Sequence, residues 1–89
     1  MIKHANIRTY GRVQGVFFRD SAKQKAIEFD LAGFARNEPA GTVYIEAEGE
    51  EEKLNEFINW CKEGPEGAFV GKIDITFSSV KNLSNFELN

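Results

Sequence analysis

Between residues 5 and 13 the chain alternates. Ala5, Ile7, Thr9, Gly11 and Val13 fall on one side, and Asn6, Arg8, Tyr10 and Arg12 on the other. A period of two sends successive side chains to opposite faces, so this segment predicts a half-buried strand. After a turn built around Gly15, the period changes. Phe18, Ala22, Ala26 and Phe29 recur at helical spacing, Ile27 widens the stripe, and Lys23, Gln24, Lys25 and Glu28 cover the other side. That pattern predicts an amphipathic helix running to Leu31, with Gly33 as its C-cap. Residues 34–37 read as a short strand, Pro39-Ala40-Gly41 as a turn, and 42–48 as a second strand with Val43, Ile45 and Ala47 on one face. The two strands form a hairpin. Gly49 ends the second strand.

Glu50, Glu51 and Glu52 then open another helix, where acidic groups favour the positive end of the dipole. Leu54, Phe57, Ile58 and Cys61 follow at i, i+3, i+4 and i+7, and Gly64-Pro65 ends the pattern. Residues 70–77 alternate around Ile73, Ile75 and Phe77. Residues 78–85 read as loop, and Phe86 and Leu88 as a short edge strand. Two helices among strands in the order βαββαβ, plus the terminal strand, predict a ferredoxin-like α/β sandwich of the α+β class. Both helices are expected on one face of an antiparallel sheet, with water on the other.

At 89 residues the chain is expected to be a single domain spanning 1–89. A chain of this size buries roughly 60–65% of its extended surface, and a hydrophobic share of 42% with eight phenylalanines supplies the core. The net charge is -3. A general binder of nucleic acid or anionic membrane shows the opposite balance. All four arginines, Arg8, Arg12, Arg19 and Arg36, lie in the first half, as if reserved for a local anion site. Arg8 and Arg12 point away from the core face and are expected to be solvated. One cysteine, Cys61, excludes an intrachain disulfide and a Cys-cluster metal site; one histidine, His4, excludes a His-His metal motif. Cys61 falls on the apolar stripe and is expected to pack in the core, with Trp60 covering its edge. His4 is expected at the surface, at a strand start. No apolar run near the N-terminus exceeds Val16-Phe17-Phe18, so a soluble cytoplasmic protein is expected.

The segment with chemistry in it is Gly11-Arg12-Val13-Gln14-Gly15-Val16-Phe17-Phe18-Arg19. A strand-to-helix turn with a central glycine gathers backbone N–H groups in one concavity, and the helix N-terminus adds its own free donors. Arg19 contributes a planar fork that matches phosphate oxygens. A cation in the first helical turn opposes the dipole at about 0.3–1 kcal/mol, which points to a resident anion; Asp20 offsets part of this.

This segment strongly resembles the N-terminal signature of the acylphosphatases. The likeness continues through Ala32-Gly33-Phe34-Ala35-Arg36-Asn37, Gly41-Thr42-Val43, Glu48-Gly49, Gly64-Pro65, Gly67-Ala68 and Val70, in order over nearly the whole chain. Departures are small: Ala35 replaces the usual Val, Ala40 replaces the common Asp or Asn before Gly41, and the end lacks the frequent aromatic residue. The resemblance implies a hydrolase that splits acyl phosphates into carboxylate and phosphate. It implies Arg19 as the phosphate-binding catalytic residue and Asn37 as the residue that holds the attacking water. It implies the backbone of Gln14, Gly15, Val16, Phe17 and Phe18 as the phosphate cradle. It implies no metal and no organic cofactor. The expected partner is a small-molecule acyl phosphate, with no nucleic acid or membrane, and the chain is expected to be a monomer. The alternative is a non-catalytic ferredoxin-like phosphate-binding or interaction module. An RNA-stacking version would use Tyr10 and Tyr44. The acidic composition, the missing RNP-like sequences and the presence of both Arg19 and Asn37 weigh against it.

Overall fold

The structure is a computed structural model describing residues 1–89. In chain order it contains β1 (Ile2–Arg12), α1 (Phe18–Glu28), β2 (Ala32–Asn37), β3 (Val43–Glu50), α2 (Glu51–Cys61), β4 (Phe69–Ser78) and β5 (Phe86–Leu88). The strands stand side by side as β4-β1-β3-β2-β5. α1 packs over β2 and β5, and α2 over β1 and β3, giving the ferredoxin-like sandwich that the periodicity implies.

The first four strands pair antiparallel, but β5 pairs parallel with β2, with Gly33 beside Phe86 and Ala35 beside Leu88. The sheet is therefore mixed rather than antiparallel throughout. Topology explains this. β4 finishes at the end of the sheet where β1 and β2 begin. The chain crosses that end and sets out again in their direction. As a result β1, β2 and β5 all finish at the opposite end, where α1 begins.

The core is built from Ala5, Ile7, Val43, Ile45 and Ala47 of the sheet, Phe18, Ala22 and Ala26 of α1, and Leu54, Phe57, Ile58 and Cys61 of α2. The stripe of α1 is mostly alanine, so that helix lies close on the sheet. Its one large buried side chain, Phe18, sits in the first turn and rests against Trp60 at a centroid distance of 5.4 Å. Phe57 stacks on Trp60 at 6.1 Å and meets Phe86 edge-on at 6.3 Å. Such pairs contribute about 0.5–1.5 kcal/mol beyond area burial. Cys61 is buried as expected, and burial pushes its thiol far above the usual range, leaving it a packing residue.

Three local expectations are corrected. β1 starts at Ile2 instead of residue 5, because Ile2, Lys3 and His4 extend the ladder against Glu50, Gly49 and Glu48. α1 stops at Glu28 rather than Leu31. Asp30 takes a left-handed conformation (φ 57°), and the Leu31 N–H closes the helix end on the Ala26 carbonyl at 2.8 Å. Gly33 is consequently not a cap but lies inside β2. A Cβ there would fall 1.9 Å from the Glu46 carbonyl oxygen, so only glycine permits this strand spacing.

His4 is fully buried, not at the surface. The face opposite the helices is covered at this end by the connection from β4 to β5. His4 Nδ1 lies 2.9 Å from Glu48 and Nε2 lies 2.7 Å from Glu46. Lys81 and Leu83 in the crossing segment donate their backbone N–H groups to Glu48, while Lys81 Nζ lies 2.9 Å from Glu46. Burial raises both carboxyls, but these hydrogen bonds outweigh it and hold them below the ordinary carboxylate range. His4→Ala is expected to lower stability by about 1–3 kcal/mol, because the buried Glu46 and Glu48 carboxylates both lose their imidazole partner. An unchanged urea midpoint would contradict this.

Candidate functional site

The ends of β1, β2 and β5 and the start of α1 meet around a cavity of about 330 Å3 lined by Val13, Gly15, Phe17, Phe18, Arg19, Asp20 and Asn37. The two residues that the sequence singles out, Arg19 and Asn37, are 18 positions apart in the chain and share this wall. Gly15, Phe17 and Phe18 of the expected cradle line it too.

The loop is open to ligand at the backbone level. No N–H group from Gly15 to Asp20 finds an acceptor within the protein. Gly15 (φ 76°) and Phe17 (φ 60°) are both left-handed, a turn geometry that leaves consecutive N–H groups unpaired. Glycine adopts it freely. For Phe17 the same conformation costs on the order of 1–3 kcal/mol, and strain of this kind concentrates at functional sites. Burial of Phe18 anchors the first helical turn beneath the loop.

Two members of the expected cradle stand differently. The Gln14 side chain turns away from the cavity and donates from Nε2 to the carbonyls of Glu38 at 2.8 Å and Thr42 at 2.9 Å. Val16 packs against the core. Neither side chain lines the cavity, so their part in a cradle rests on the main chain alone.

Two residues without any local signal in the chain hold the site in shape. Glu38 follows Asn37. Its carboxylate accepts from Arg8 Nε at 2.7 Å and from Arg8 Nη2 at 3.0 Å, as well as from Thr42 Oγ1 at 2.6 Å. Arg8 is therefore paired rather than solvated, and the pair ties the end of β2 to β1. Asn89 is the other. Its backbone oxygen accepts from Arg19 Nη1 at 3.1 Å, and its N–H donates to Ala35 at 3.0 Å. The guanidinium is thus steered by the residue after β5. A turn glutamate and a terminal main-chain oxygen leave no periodic signal in a sequence. The Asn37 amide makes no hydrogen bond within the protein and is free to engage a ligand or water.

Hydrogen bonds from Arg8 and then Thr42 hold the Glu38 carboxyl down at about 2, below its ordinary 4.5. A carboxyl lowered on folding adds stability above its unfolded value, and this is lost as pH falls toward the folded value. Melting temperature should therefore drop as pH falls from 4.5 toward 2. Glu38→Gln should lower it near neutrality and flatten part of that slope. An identical slope in the variant would contradict the assignment.

These features define a class: a ferredoxin-like sandwich whose first strand-to-helix turn, with unpaired N–H groups and one arginine at the helix start, shares a cavity with a free carboxamide at the end of β2. The sequence comparisons agree. The family model for acylphosphatase matches residues 5–88. The acylphosphatase of Methylococcus capsulatus is 42% identical over 74 residues, covering 83% of this chain and 80% of that one. That of Thermococcus kodakarensis is 37% identical over 84 residues, covering 94% and 92%. The crystal structure of acylphosphatase from Bacillus subtilis superposes with a TM-score of 0.95 at 36% identity, covering 100% of this chain and 99% of that one. The chain belongs to the acylphosphatase family. No helix is long and apolar enough to cross a membrane.

Proposed function

We propose that this chain hydrolyses acyl phosphates to a carboxylate and inorganic phosphate, with Arg19 and the Gln14–Arg19 loop holding the phosphoryl group and Asn37 positioning the water. The convergence of Arg19, Asn37 and the unpaired N–H groups on one cavity supports this most. An acyl phosphate is a mixed anhydride with a good leaving group. Its loose transition state spreads charge over three phosphoryl oxygens, so pre-aimed donors supply most of what catalysis needs. The Asn37 carbonyl accepts a hydrogen bond from water and so sets its direction of approach, but an amide is too weak a base to remove the proton. Water oxygen bonds to phosphorus, the bond from phosphorus to the acyl oxygen breaks, and the proton passes to the phosphoryl group. The one histidine lies at the other end of β1, on the face away from the helices, and has no part in this. Without a side-chain base of neutral pKa, the rate should vary little between about pH 5 and 8. The test is phosphate release from benzoyl phosphate across that range. Steady turnover with a flat profile is expected. No turnover would overturn the reading, and a bell centred near neutrality would overturn the role of Asn37.

A further inference from the structure

In the sheet order β4-β1-β3-β2-β5, β3 stands between β1 and β2. The loop after β1 and Asn37 at the end of β2 are therefore about two strand spacings apart, roughly 9–10 Å, with no ladder between their strands. One side chain crosses that gap. Gln14 stands directly before Gly15, where the run of unpaired N–H groups begins, and is half-buried. Its Nε2 donates to the carbonyl oxygens of Glu38 at 2.8 Å and Thr42 at 2.9 Å, the two ends of the turn that follows Asn37. A carboxamide has two N–H donors, and both are used here. No other hydrogen bond joins residues 14–19 to residues 37–42.

The turn does not need Gln14 for its own shape. The Glu38 N–H donates to the Thr42 oxygen at 2.9 Å, and the Gly41 N–H donates to the Glu38 oxygen at 3.0 Å. Each of the two carbonyls thus accepts one bond from inside the turn and a second from Gln14. What the second pair adds is a fixed placement of the turn against the phosphate loop. Arg8 also holds Glu38, but by its carboxylate and from within β1, so it secures the end of β2 to the sheet and not to the loop.

We propose that Gln14 is a positioning residue whose side chain sets the place of Asn37 relative to the phosphate loop, and so the line along which water reaches phosphorus. The proposal rests on the hydrolase reading above and deepens it, from the groups that act to the brace that keeps them in register. In-line displacement needs the attacking oxygen, phosphorus and the leaving oxygen roughly collinear. The donors that hold phosphorus follow Gln14 in the chain, and the carboxamide that directs the water precedes Glu38. A shift of about 1 Å between them can cost up to about 10²-fold in rate.

The test begins with Gln14→Met, which keeps the length and removes both donors. Turnover of benzoyl phosphate should fall about tenfold in kcat, while competitive inhibition by inorganic phosphate changes by less than about twofold, because the loop N–H groups and Arg19 remain. Gln14→Asn keeps an amide but is one methylene short of both carbonyls. It should show the same split, and it carries the test if Gln14→Met does not fold. The second measurement combines each variant with Asn37→Ala. If Gln14 acts through Asn37, the double variant should lose less than about twofold in kcat beyond Asn37→Ala alone. A full further tenfold loss would overturn the proposal, since Gln14 would then act independently of the water. An unchanged kcat in the single variants would overturn it too, and a parallel loss of phosphate inhibition would place the Gln14 side chain in the cradle instead. Each of these leaves the hydrolase reading standing. A wild-type chain that released no phosphate would overturn that reading, and the positioning role with it.

Discussion

Arg19→Ala is expected to lower kcat by about 10²–10³-fold, the loss associated with removing one key donor to a developing oxyanion. Arg19 is the only cation lining the cavity. Its guanidinium is held by the Asn89 backbone oxygen at 3.1 Å, which still leaves donors of the five-donor fork for a phosphoryl group. The N–H groups of the loop survive the substitution, so a residual rate should remain. Arg19→Lys keeps the charge but not the fork, and should recover only part of the loss. Arg19→Ala removes a first-turn cation that opposes the helix dipole, so folding stability should hold or rise slightly. A loss of activity together with retained stability separates a binding role from a structural one. Steady-state kinetics and a thermal melt on the same sample check both. A loss below about tenfold would mean that the loop carries the phosphoryl charge without the arginine.

Asn37→Ala is expected to lower kcat by a comparable factor, about 10²–10³, while inorganic phosphate inhibits as before to within about twofold. The reason is division of labour. In the proposed mechanism the donors for phosphate lie in the loop and on Arg19, whereas Asn37 stands at the end of β2 with its amide unpaired. Its removal leaves the cradle whole and the water unguided. Backbone geometry around position 37 should persist, because Glu38 is tied to Arg8, Thr42 and Gln14. Competitive inhibition by phosphate, measured beside kcat, distinguishes the two roles. A parallel loss of phosphate affinity would assign Asn37 to the cradle instead.

Much of this architecture is written in local patterns. The alternation around Ile7 and the stripe from Leu54 to Cys61 each have one physical solution, since a residue slip would turn their apolar groups to water. The turn at Gly15 is equally legible, because glycine takes the left-handed conformation found there without strain, and Arg19 falls in the first helical turn as the spacing predicts. What stayed hidden depends on distant partners. His4 reads as an ordinary surface histidine, and only the crossing segment with Lys81 and Leu83 buries it. Arg8 reads as solvated until the hairpin brings Glu38 to it. Gly33 looks like a cap because it follows a helical run. Its real reason is the main chain of Glu46 on the neighbouring strand. The parallel pairing of β5 follows from which edge the last connection reaches, and no local pattern specifies that.

The central claim is that the turn after β1, together with Arg19, is a preformed receptor for a phosphoryl dianion. A crystal structure of the wild-type chain with inorganic phosphate bound tests it most directly. The ion should lie within hydrogen-bond distance of several N–H groups from Gly15 to Asp20 and of the Arg19 guanidinium, with the Asn37 amide facing it across one water. Phosphate seated on the opposite sheet face near Lys81, with that turn vacant and the Asn37 amide directed away, would contradict it.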